Sequence, residues 1–205
     1  IRLQGKEVRG LPPDVIARKG MVRSFQNVRL FGRMTAIENV MLGIRQLSSD
    51  WWCWPNGTRG GENLADLFLV PGVATRVERE TRERAMEWLR LVGLAGVADT
   101  AAGTLSFGQQ KLVSFARLLG TDADVLLLDE PASGIDSKWV DNILGLVAFM
   151  RHRGKTICIV EHSIHVVERL ADTVFFMELG RITAQGTIGE LTSDPRLTEV
   201  YFGTV

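Results

Sequence analysis

Net charge is missing from this 205-residue chain: 24 basic and 24 acidic side chains cancel at pH 7. A protein that coats nucleic acid needs a basic excess, so that class is excluded as a whole-surface function. Long apolar runs are missing as well, and none approaches the roughly 18 residues that span a bilayer. No basic-then-apolar leader is read at Ile1. Cysteine is scarce. Cys53 and Cys158 stand at no metal or redox spacing, and Cys158 sits in the apolar run Thr156–Val160. A reducing, cytosolic setting is the expectation. What is present is ordinary for a globular protein, with 45% hydrophobic and 23% charged residues. A chain of this length makes one domain, or one with a sub-domain, and buries about 70% of its unfolded surface without a disulfide or metal staple.

Strand-like apolar runs alternate with helical stretches, the pattern of an α/β fold with a mainly parallel sheet. Residues 1–8 read as one short strand with Ile1 and Leu3 on one face. Pro12 and Pro13 open a short helix that Gly20 closes. Residues 21–25 form a second strand, followed by the loop 26–33. Thr35-Ala36-Ile37-Glu38 has the form of a capping box for a helix through Leu42. Residues 48–72 are the least regular; the cluster Trp51-Trp52-Cys53-Trp54 fits either a docking surface or the mini-core of an insertion. Residues 76–92 return to helix, with Ala85, Leu89 and Val92 on one face and a solvated charged run on the other. A helix at 107–119 ends at Gly120. Strand 124–128, helix 136–152, strand 155–160, helix 163–170 and strand 173–177 follow, then a hairpin turning at Gly180 and a short helical tail.

Val125-Leu126-Leu127-Leu128-Asp129-Glu130-Pro131 carries the most specific chemistry. Four apolar residues in a row predict a strand buried on both faces. The two carboxylates stand at its C-terminal end, where open α/β sheets bind ligands. Neighbouring strand residues point opposite ways, so one acid can hold Mg²⁺ and the other can orient an attacking water. Leu105-Ser106-Phe107-Gly108-Gln109-Gln110 opens a helix; a hydroxyl, a bare glycine and unpaired helix-start N–H groups suit a phosphate oxygen, although an ordinary N-cap has the same form. Ile159-Val160-Glu161-His162 repeats the strand-then-polar arrangement, and an imidazole there can donate to a phosphate or to water. Gln26, just past a strand, can offer an amide oxygen to a metal or water.

Gln26, then residues 105–110, then Asp129-Glu130, then Ser133-Gly134-Ile135-Asp136, then His162: in this order the chain resembles the ATP-binding cassette (ABC) ATPases over essentially its whole length. These segments look like that family's Q-loop, LSGGQ signature, Walker B strand with catalytic glutamate, D-loop and H-loop. Leu11-Pro12-Pro13, Arg23-Ser24-Phe25-Gln26-Asn27, Arg29-Leu30-Phe31, Met34-Thr35, Glu38-Asn39-Val40 and the tail Glu199-Val200-Tyr201-Phe202-Gly203 are similar to the branched-chain amino-acid importer subfamily; urea and amide importers share much of this.

The resemblance implies a P-loop NTPase-like core with a mainly parallel sheet, and a helical sub-domain at about 34–118 inserted between the Q-loop and Walker B parts of a single domain, 1–205. It implies ATP and Mg²⁺ as ligands, with Glu130 and His162 catalytic. Gln26, Ser106, Gly108, Gln109, Asp129 and Asp136 would contact ATP, and Asp129 and Gln26 the metal. It implies a homo- or heterodimer of ATPase subunits docked on transmembrane permease subunits at the cytoplasmic face of the inner membrane, with no nucleic acid. The function implied is to power import of branched-chain amino acids or a related small solute. A soluble ABC-type ATPase of translation or DNA repair, or a non-catalytic truncated ABC domain, are the alternatives.

The departures are specific. No G-x-x-x-x-G-K-[ST] motif occurs. Gly154-Lys155-Thr156 comes nearest, but it has Phe149 where the first glycine belongs and precedes a strand instead of following one. The expectation is a chain that starts after Walker A, with the N-terminal β-sub-domain and P-loop strand truncated and no activity alone. The missing strand belongs mid-sheet, so its neighbours would expose unpaired edges, leaving the chain marginal or self-associating. Phe107 replaces a usual glycine, and Ser163 a usual acid after the histidine.

Overall fold

The computed structural model describes residues 1–24, 29–47 and 71–193. The chain divides into two units, Ile1–Ile159 and Val160–Val205.

The first unit opens with a hairpin where one strand is expected. β1 (Arg2–Leu3) pairs antiparallel with β2 (Lys6–Glu7). Gln4 and Gly5 between them both have positive φ, 48° and 77°, the backbone of a type I′ turn. Leu3 is buried, whereas Ile1, at the start of the strand's run, is exposed. α1 (Pro13–Arg18) starts at Pro13 and is closed by Gly20 at φ 89°, as the proline–glycine punctuation predicts.

β3 (Met21–Arg23), β4 (Val125–Asp129) and β5 (Thr156–Val160) form one sheet in the order β3-β4-β5. β3 and β4 are parallel, with Met21 opposite Val125 and Arg23 opposite Leu127. Leu126 and Leu128 are each 2% exposed, whereas Val125 and Leu127 are half-buried. The strand is therefore sealed on one face only, a correction to the expectation of burial on both. α5 (Ser137–His152) connects β4 to β5, burying Ile143, Leu144, Val147 and Met150.

Three helices pack on one another between β3 and β4: α2 (Ala36–Leu47), α3 (Pro71–Leu91) and α4 (Phe107–Gly120). Ile37 and Val40, Ala85 and Leu89, and Leu112, Val113 and Ala116 are fully buried, at helical spacing on each element. The capping box at α2 is present: Thr35 N–H donates to Glu38 at 2.7 Å and Glu38 N–H to Thr35 Oγ1 at 3.3 Å. A Cβ on Gly43 would overlap the Arg117 carbonyl oxygen, and one on Gly120 would stand 2.9 Å from Ile44 Cγ1. Both glycines let α2 and α4 approach backbone to backbone. Asn39, 0% exposed, accepts from Phe31 N–H at 2.9 Å and donates to the carbonyls of Phe31 and Thr35, pinning the loop that leads into α2. On α3 the charged run is solvated as expected, with Arg76–Glu80 at 2.8 Å and Arg79–Glu83 at 3.9 Å in i,i+4 pairs.

The second unit holds α6 (Ile164–Leu170), the antiparallel pair β6 (Val174–Glu178) and β7 (Arg181–Gly186), and α7 (Ile188–Thr192). The β6–β7 turn falls at Leu179-Gly180, with φ 47° and 77°. α7 also starts with a capping box, Thr187 with Glu190. Among the described residues no helix is long and apolar enough to cross a membrane. Cys158 is an exposed free thiol in β5.

Candidate functional site

β4 carries Asp129 to the end of the sheet, beside the end of β3. Arg23 Nη2 donates to Asp129 Oδ2 at 2.9 Å, and the Asp129 N–H donates to Ser24 Oγ at 3.0 Å. The strand ends at Asp129. Glu130 lies outside it with φ 43°, in the left-handed region that a side chain rarely adopts. The two-residue alternation therefore does not extend to Glu130, and its orientation comes from the turn instead. The Glu130 carbonyl explains how that turn holds: it accepts from Ser133 N–H at 3.2 Å, from Ser133 Oγ at 3.1 Å and from Lys111 Nζ at 3.3 Å.

Ser106 caps α4 in a reciprocal box. Its Oγ accepts from Gln109 N–H at 3.4 Å, and Gln109 Oε1 accepts from Ser106 N–H at 3.0 Å. A hydroxyl that accepts here keeps its own proton to donate, so capping and binding an anion are compatible. Ser106 is exposed and Phe107 is 50% exposed, so the turn is open to an approaching molecule. Gly108 is tight on its inner side: an added Cβ would stand 2.7 Å from Trp139 Cδ1 on α5. The Phe107 ring lies against Gly134, which has φ 69°.

Ser106, Gly108, Gln109, Asp129, Glu130 and Asp136 thus belong to one packed region, joined through Lys111, Phe107 and Trp139. Asp136 is the exposed N-cap residue of α5, and its side chain makes no cap bond. His162 follows β5 by two residues and is exposed, in the second unit. Gln26, the Trp51-Trp52-Cys53-Trp54 cluster and the tail at 199–203 lie outside the described residues. A cleft of about 540 Å³, lined by Leu3, Gln4, Lys6, Gly20, Asp122 and Asp124 among others, lies at the opposite end of β4 from Asp129 and takes no part in this arrangement.

Sequence reasoning missed Lys111. Its signal was available: it stands four residues before Phe115 and eight before Leu119, on the stripe of α4 that is buried, and a charged residue on such a stripe needs a partner. Among the described residues Asp129 supplies the kind of oxygen that Mg²⁺ takes, the ion completing its shell with water and phosphate oxygens, and a bound ion would share that carboxylate with Arg23, whose Nη2 stands 2.9 Å from Oδ2.

The family model described as "ABC transporter" matches residues 1–133. The "High-affinity branched-chain amino acid transport ATP-binding protein BraF" of Pseudomonas aeruginosa is 38% identical over 205 residues, 99% of this chain and 75% of the relative. The LivG protein of Escherichia coli K12, with the same descriptive name, is 33% identical over 99% of this chain and 75% of its own. Among solved structures, a nucleotide-free ATP-binding cassette from an ABC transporter is similar at a TM-score of 0.73 and 28% identity, covering 98% of this chain and 76% of that one.

Proposed function

The chain belongs to the ABC transporter family, and from that membership we propose that it is the ATP-binding and ATP-hydrolysing subunit of a bacterial importer for branched-chain amino acids or a closely related small solute. ATPase subunits of this family pair and work with membrane permease subunits. Here the paired ATPase would sit on the cytoplasmic face of the inner membrane, and the helical part at about 34–118 would dock on the permease. The observation that supports the reading best is the joining of the capped turn at Ser106–Gly108 to the acidic turn at Asp129–Glu130 through Lys111, far apart in sequence yet one body.

In this reading the open turn of one subunit faces the terminal phosphate of ATP held by its partner. The N–H groups of Phe107 and Gly108, without intrahelical acceptors at the start of α4, donate to phosphate oxygens, with the positive end of the helix behind them. Ser106 adds its O–H while it still accepts from Gln109. Glu130 accepts a hydrogen bond from water and orients it in line with the γ-phosphorus. His162 donates to a γ-phosphate oxygen, and Asp136 reaches across the seam. Asp129 and Gln26 would hold Mg²⁺, which when bound offsets charge on the β- and γ-phosphates. Closing on ATP and opening after hydrolysis then shift the permease between two states.

These 205 residues contain no G-x-x-x-x-G-K-[ST] cradle, so the test compares the chain alone with the chain fused behind a strand–loop–helix segment that carries one. Calorimetry with Mg-ATP is expected to show no binding to the chain alone, and turnover only in the fusion. In that fusion Glu130→Gln should lower turnover by about a hundredfold or more and trap an ATP-bound dimer. Full turnover by the variant would remove Glu130 from its role.

A further inference from the structure

Lys111 is 5% exposed, and a buried ammonium is costly unless its protons are satisfied. Its Nζ donates to the carbonyl oxygens of Glu130, at 3.3 Å, and Ser133, and it lies 5.9 Å from the centre of the Phe107 ring. Those contacts reach two places at once: the first turn of α4, where Ser106 and Gly108 stand, and the turn that follows β4. Glu130 occupies an unfavourable backbone conformation, φ 43°, that persists only where surrounding contacts over-determine it. Two donors on its carbonyl, the N–H and the hydroxyl of Ser133, lie within the same turn. Lys111 comes to the same carbonyl from another element.

We propose that Lys111 is a positioning residue: it fixes the Glu130 backbone, and so its carboxylate, to the helix that carries Ser106 and Gly108. The inference rests on the ATPase reading for its functional consequence, but not for the clamp itself. The turn that would receive a partner's phosphate and the turn that would orient water in the chain's own site then move as one piece. A nucleotide contact at Ser106–Gly108 is thereby reported to Glu130 through one ammonium. Lysine suits the task because its three donors can serve two carbonyls at once.

Hydrogen exchange read peptide by peptide on the whole chain tests the clamp without nucleotide. Lys111→Met is expected to speed exchange across residues 130–136 by about tenfold while the α2 peptide is unchanged, and Lys111→Arg to keep the slow rate. An unchanged turn in Lys111→Met, or an Arg variant as fast as the Met variant, overturns the proposal. Should Lys111→Met fail to fold, Lys111→Gln decides, since its shorter side chain keeps an amide donor but not the reach to both carbonyls. It must speed the same peptide, and a turn indifferent to it overturns the clamp. In the fusion that carries a phosphate cradle, Lys111→Met is expected to lower kcat by about tenfold with KM for ATP within about twofold. A faster turn with an unmoved kcat overturns the positioning role. A wild-type fusion that never hydrolyses ATP, with exchange behaving as expected, removes the ATPase reading and leaves the clamp standing.

Discussion

Glycine gives opposite outcomes at different positions of this chain, because the cost of a side chain depends on what stands beside it. At Gly43 an added Cβ meets backbone, the carbonyl oxygen of Arg117, which cannot move without shifting α4. At Gly145, inside α5, nothing lies within 4 Å of the same atom. Gly43→Ala should therefore destabilise the fold by about 1–3 kcal/mol through overpacking. Gly145→Ala should stabilise it by roughly 0.5–1 kcal/mol through backbone entropy. Urea midpoints at constant m-value measure both. If the two substitutions shift the midpoint alike, the packing of α2 on α4 described here is wrong.

At the scale of the element, the two capping boxes closed by a glutamate carry a pH dependence of known sign. The N–H of Thr35, and after it the Thr35 hydroxyl, hold the Glu38 carboxyl below its usual range. A carboxyl depressed in the folded state contributes stability that is present above its unfolded value, near 4.5, and lost as pH falls through the lower folded one. Thr35→Ala should cost about 0.5–2 kcal/mol at neutral pH. That penalty should shrink as acid protonates Glu38, and thermal melts across pH 7 to 3 will follow it. Elements of this kind were legible in the sequence. Thr35 with Glu38, Pro13 with Gly20, and the apolar spacing of α3 each name a local interaction that the tertiary structure leaves in place. Legibility failed where one residue overrode a pattern. Gln4-Gly5 turns residues 1–8 into a hairpin, and the backbone at Glu130 breaks the alternation begun in β4. The site was legible as a set of residue types in order. Its connection was not, because Lys111 meets Glu130 across tertiary space and no local spacing encodes that meeting.

For the whole molecule the decisive feature is the short sheet. Among the described residues β5 pairs with β4 alone, and β6 with β7 alone. β5 reads Thr156-Ile157-Cys158-Ile159-Val160, without charge, proline or glycine, and its last residue is 61% exposed. Strands of that composition with an open side invite pairing with another chain. Sedimentation at rising concentration is expected to show reversible association, and Cys158→Lys, a charge at the middle of the strand, to suppress it. A chain that sediments as a monomer at every concentration would contradict this.

An unguarded strand has a fate in the cell as well as in the test tube. Chaperones and proteases survey newly made chains for bare backbone donors and acceptors, and small changes in the open population alter abundance several-fold. How long this polypeptide survives then depends on how quickly the open side of β5 is covered.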